Sequence, residues 1–130
     1  MNAVGKGRAG RVKEINRVIL TGEVVADAVL GYTARGTGVA TFTLAFVTER
    51  HGGGEQKGRV DVVCMGDAAA GCAAVARRAE RVKVEGLLQQ RSWKTPEGFQ
   101  KSKTEIMAHT VEPFKADAAQ ASQERNRVTG

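Results

Sequence analysis

Aromatic side chains are scarce, at 5% of the 130 residues: four Phe, one Tyr and one Trp. A core must then be filled by aliphatic and small residues, and a surface that works through rings has few to work with. Cysteine is almost absent. Cys64 and Cys72 form no C-x-x-C pair, which removes a zinc ribbon, a thiol redox motif and a secreted disulfide scaffold. One lies in the apolar run Val62-Val63-Cys64-Met65 and the other in an Ala-rich stretch, so both read as small buried hydrophobes of a reducing compartment. No apolar run approaches the roughly 20 residues of a membrane-spanning helix, and no signal-peptide core lies near the start. An intracellular protein without membrane contact is expected.

Assembled chemistry is missing too. His51 and His109 stand apart, with no third ligand at metal spacing, so neither a metal nor a cofactor is expected. There is no phosphate-binding G-x-x-x-x-G-K-[ST] loop, nucleophile elbow or acid–base carboxylate pair, which excludes the recognisable enzyme classes and predicts no catalytic residue. Gly5-Lys6-Gly7-Arg8-Ala9-Gly10 fits G-x-G-x-x-G by letter. No strand precedes it to make a dinucleotide site, and it reads as part of a flexible basic arm over residues 1–14.

What is present is positive charge. Lys and Arg outnumber Asp and Glu 20 to 14, a net +6, which favours a polyanionic partner. With 42% apolar and 26% charged residues the chain can build one core, assigned to residues 15–114, with a frayed tail over 115–130.

Within that region the elements follow in order. Ile15 to Gly22 reads as a strand buried on both faces around Val18 to Leu20, with Gly22 marking a bend or bulge. It falters after Val25, resumes over Val29 to Thr33 and turns at Arg35 to Gly38. Val39 to Val47 alternates, with Phe42, Leu44 and Phe46 on a core face. Thr48 to Gly58 has Gly52-Gly53-Gly54 among charges and reads as a mobile loop. Arg59 to Met65 makes a third strand, and Asp67 is placed to cap a helix over Ala68 to Arg78. Arg81 to Trp93 alternates again, putting Lys83, Arg91 and Trp93 on one polar face. Lys94 to Gly98 turns, and Lys101 to Val111 returns. Three strands, a short helix and two strands is the order of an all-β, five-stranded Greek-key oligonucleotide-binding barrel.

Particular segments sharpen this. Asn16-Arg17-Val18-Ile19-Leu20-Thr21-Gly22, Tyr32 with Gly36 and Val39-Ala40, Val62 to Gly66, Val82 to Leu88 with Arg91 and Trp93, and Lys103-Thr104-Glu105-Ile106 occur in order. Together they resemble the bacterial and mitochondrial single-stranded DNA-binding protein family. The resemblance implies non-sequence-specific binding of single-stranded DNA in replication, repair or recombination, assembly into a homo-oligomer (tetramer or dimer), and a bacterial cytoplasmic or mitochondrial matrix setting. It departs at Arg50, Arg59 and Met65, where such proteins usually carry rings. It departs again at Arg127-Val128-Thr129-Gly130, where bacterial members tend to carry an acidic tail that recruits partners. Those departures keep a second reading open: a subunit of a primosomal or RNA-processing assembly, acting through protein contacts and weak DNA or RNA binding.

Single-strand binding needs cations along the phosphates and exposed rings for the bases. Trp93 is the leading candidate platform, with Arg91 and Lys83 expected beside it. Tyr32 and Phe99 are further candidate rings, and Arg35 lies in the turn after Tyr32. Arg50, Lys57 and Arg59 flank one predicted loop; Lys94, Lys101 and Lys103 flank the other.

Overall fold

The structure is a computed structural model that describes residues 13–115. The arm predicted over 1–14 lies outside them except for its last two residues, and so does the tail beyond 115. Five strands form a closed barrel in the order β1-β2-β3-β5-β4: β1 (Val18–Tyr32), β2 (Gly38–Glu49), β3 (Glu55–Met65), β4 (Arg81–Lys94) and β5 (Gln100–Pro113). The helix α1 (Ala69–Arg78) lies between β3 and β4. The expected all-β oligonucleotide-binding barrel is the fold observed.

The core is built as the aromatic shortage requires. Leu44, Val62, Cys64, Val82, Val84 and Ile106 are its largest fully buried side chains, with Phe42 beside them. Alternation in β2 buries Ala40, Phe42 and Leu44 in turn. Phe46 is only partly buried, because it lies where β2 leaves the barrel and packs on Gly58. Helix α1 seals the core with Ala69, Cys72, Ala73 and Ala76, an i, i+3, i+4, i+7 stripe whose small side chains let its backbone approach the sheet. Its Arg77 guanidinium donates to the Ala28 carbonyl at 3.2 Å.

Several local expectations are corrected. The first strand starts at Val18, not Ile15, because Asn16 spends its side-chain amide where a backbone pair would be: Nδ2 donates to the Leu88 carbonyl at 2.8 Å and Oδ1 accepts from the Leu88 N–H at 2.9 Å. Val18 to Leu20 is not buried on both faces, since Ile19 points outward and is 52% exposed. β1 does not break after Val25 but continues to Tyr32, absorbing the irregularity as register shifts against β2 between Val24 and Ala26 and between Ala26 and Val29. Gly22 is not at those bulges. It pairs in register with Val82, and its missing side chain admits the Ala45 carbonyl, whose oxygen would lie 2.2 Å from a Cβ. Asp67 does not cap α1. A single 3-10 turn over Gly66–Ala68 leads from β3 into the helix, so the N-cap position falls on Ala68 and Asp67 lies within that turn, ahead of the helix.

Candidate nucleic-acid interface

The only ladder between β3 and β5 is short and parallel, pairing Asp61 with Glu105, Val62 with Ile106 and Val63 with Met107. On the N-terminal side of those residues each strand keeps only its hairpin partner. β3 stays paired with β2 as far as Glu49 opposite Glu55, and β5 with β4 as far as Lys94 opposite Gln100. Two hairpin arms therefore leave the barrel at the same end. The region expected to be a mobile loop, Thr48 to Gly58, is mostly strand within the first arm. Only residues 50–54 turn, closed by the Arg50 N–H on the Gly54 carbonyl (3.0 Å). The second arm is closed by the Thr95 N–H on the Phe99 carbonyl (2.8 Å). Arg50, Lys57 and Arg59 are carried by the first arm; Arg91, Trp93, Lys94, Phe99, Lys101 and Lys103 by the second.

A polar row crosses the outer face at the root of the arms. The Thr43 hydroxyl donates to Asp61 Oδ1 at 2.8 Å, and Lys103 Nζ donates to Asp61 Oδ2. Next to it, Glu105 Oε1 accepts from Gln89 Nε2 at 3.3 Å and from Arg91 Nε at 3.2 Å. The Arg91 guanidinium in turn lies 5.0 Å from the centre of the Trp93 ring, which is 40% exposed. The hydrogen bond and charge of Lys103, helped by Thr43, outweigh burial and hold the Asp61 carboxyl below its usual range. Lys103 and Arg91 are thus not free cations. Each is held by a carboxylate from a strand that meets it only through folding.

Beside the first arm a groove of about 420 Å³ opens on the outside of β1, β2 and β3, lined by Arg59, Lys57, Arg81, Val25 and Val47. Register explains it. Arg81 lies opposite Glu23, Glu23 opposite Ala45, and Ala45 opposite Arg59, so a cation from the start of β4 joins the cations of β3 across two strands.

Residues 15–114 match the model of the single-strand binding protein family. The chain belongs to that family. A single-stranded DNA-binding protein 2 from Chlorobaculum tepidum is 34% identical over 104 residues, covering 76% of this chain and 70% of that protein. A single-stranded DNA-binding protein from Thermus thermophilus is 34% identical over 113 residues, covering 87% of this chain but only 43% of its own length. Among solved structures, the Plasmodium falciparum SSB complex with ssDNA is 27% identical and superposes with a TM-score of 0.64, covering 74% of this chain and 88% of that one.

Not every candidate residue of this single-strand binding family member joins the arms. Lys83 shares the outward face of β4 with Trp93 but lies opposite Glu112, near the other end of the hairpin. At about 3.3 Å per residue the two are roughly 30 Å apart along the strand, so Lys83 is not beside Trp93 as expected. Tyr32 is 69% exposed at the end of β1, and Arg35 lies in the turn closed by the Thr33 N–H on the Thr37 carbonyl (2.9 Å). That turn sits at the Met65 end of β3, the end opposite the arms. The arms therefore gather Trp93 and Phe99 but not Tyr32. Asp61, Glu105 and Arg81 were missed by sequence reasoning. Alternation puts Asp61 on the same face as Lys57 and Arg59, but what it binds there depends on a pairing 44 residues away in sequence.

Proposed function

We propose that the protein binds single-stranded DNA without sequence preference and coats exposed strands during replication, repair or recombination. The observation that carries this reading is the pair of basic arms in a family member, one of them bearing Trp93 as a part-exposed ring beside Arg91. Cations on both arms would track phosphates, and Trp93, with Phe99 at the second arm's tip, would stack bases at about 1–3 kcal/mol each. The sites proposed to contact the strand are Trp93, Arg91, Arg50, Lys57, Arg59, Lys94, Phe99 and Lys101; Lys103 lies among them with its charge taken up by Asp61, and Arg81 lines the groove beside the first arm. Tyr32, Arg35 and Lys83 would be reached only by a strand that continues around the barrel. The names of the relatives and the ssDNA in the Plasmodium complex support the choice of DNA.

Homo-oligomerisation is part of the proposal, supported by the outward side chains of β1, where Ile19 is 52% and Val29 65% exposed. An intracellular setting, bacterial or mitochondrial, follows from the same family reading. The test is a titration of Trp93 fluorescence with oligo-dT, oligo-U and a duplex of equal length. Quenching by oligo-dT at concentrations where the duplex competes poorly is the expected result, and equal affinity for single strand and duplex refutes it. If Trp93→Ala left affinity unchanged but abolished self-association, the barrel would act as a protein-interaction platform.

A further inference from the structure

Glu105 is the one charged residue in the buried set among the described residues, at 2% exposure, and it lies at the root of the second arm. A buried carboxylate is costly unless it is paired, and its recorded partners are the Gln89 amide and the Arg91 Nε, both on Oε1. The pairing has a directional consequence. With Nε donating to Glu105, the guanidinium carbon lies over the Trp93 ring, 5.0 Å from its centre. Neither Nη group makes a hydrogen bond among the described residues.

We infer that Glu105 is a positioning residue for strand binding: it clamps Arg91 so that the guanidinium covers one face of Trp93, leaves the other ring face for a base, and aims its Nη groups at the neighbouring phosphate. This rests on the proposed binding of single strands. The physical reason is preorganisation. An arginine free to rotate would have to lose that freedom on binding, whereas the Glu105 hydrogen bond restricts it beforehand. Arg91 would be suited to the task because its planar fork can stack on a ring while hydrogen-bonding at its edge, which a lysine ammonium cannot.

The test is a double-mutant cycle with labelled oligo-dT, read by anisotropy in 1 M NaCl, where phosphate attraction is screened and stacking dominates. Glu105→Gln is expected to weaken binding about three- to tenfold in the otherwise native protein and to have no effect in the Trp93→Ala background. Arg91→Lys, which keeps the charge but loses the planar fork, is expected to reproduce the loss without adding to that of Glu105→Gln, and it decides the matter if Glu105→Gln fails to fold. An equal loss from Glu105→Gln in the Trp93→Ala background, or no loss from either variant, overturns the inference. Failure of the native protein to bind oligo-dT at all would instead refute the proposed function.

Discussion

Lys101 and Lys103 are two residues apart on β5 and carry the same charge, yet they should contribute differently to DNA binding. Lys103 is ion-paired with Asp61, whereas Lys101, opposite Trp93, has no ion-pair partner among the described residues. On single strands each phosphate contact by a free cation contributes about −0.7 to the slope of log K against log salt, through counterion release. If Arg50, Lys57, Arg59, Lys94 and Lys101 each meet a phosphate, the slope is roughly −3.5, a loss of affinity of about a hundredfold between 50 and 200 mM salt. Lys101→Ala should reduce it to about −2.8. Lys103→Ala should change it by less than about 0.3, because the Asp61 carboxylate already neutralises that ammonium.

Asp61→Asn makes the complementary perturbation. It releases Lys103 to the strand, so the slope should steepen to roughly −4.2 and affinity at 50 mM salt should rise. Anisotropy titrations of labelled oligo-dT at four salt concentrations would measure all four proteins. Equal losses of about 0.7 for both lysine variants would show that Asp61 does not hold Lys103 in solution, and would refute the reasoning.

Three further outcomes follow from the structure. The Asp61 carboxyl is held below its usual range in the folded state, so its contribution to stability is complete above the unfolded carboxylate range of about pH 4 and is lost as pH falls through the lower folded value. Chemical denaturation at stepped pH should show this loss in the native protein and a smaller one in Asp61→Asn. Burial pushes the Cys72 thiol up to about 12 beside Cys64, whose sulfur is 2.7 Å away. Both thiols are buried, so at pH 8 an aromatic disulfide reagent should leave them untouched in the folded protein and titrate both in guanidinium, and rapid native reaction would contradict this. Gly22→Ala places a Cβ 2.2 Å from the Ala45 carbonyl oxygen, a backbone atom that cannot swing aside, and should cost at least about 1–3 kcal/mol in urea unfolding.

The parts of the fold legible in the sequence are those set by local repetition. The alternation of Val39 to Phe46 and of Arg81 to Trp93 identifies strands because one face of each meets the core, and the alanine-rich composition of Ala68 to Arg78 identifies the helix through its intrinsic preference. Glu55-Gln56-Lys57-Gly58 carries no such signal. Its residues are exposed or nearly so, and they become strand only because Phe46 to Glu49 pairs with them, so the first arm reads as a loop. At the site, the cations and Trp93 could be read from residue type, but their partners could not. Whether a lysine is free depends on which carboxylate the parallel β3–β5 ladder sets beside it, and no local pattern encodes that register.

That distinction bears on how a barrel with so few rings would hold a strand. Arg50 and Arg59 stand where the family resemblance leads one to expect aromatics, so the first arm offers charge in place of stacking. The second arm concentrates what stacking there is at Trp93 and Phe99. Charge-based contact is strong only at low salt, while a stacked base persists when phosphates are screened. The two arms would therefore separate in an assay that neither sequence nor shape alone suggests. Removing cations from the first arm should lower affinity at 50 mM salt and matter little at 1 M. Trp93→Ala should cost about 5- to 150-fold at both, the equivalent of roughly 1–3 kcal/mol. A Trp93→Ala protein whose deficit vanished at 1 M salt would place the ring outside the contact and leave the grip to charge alone.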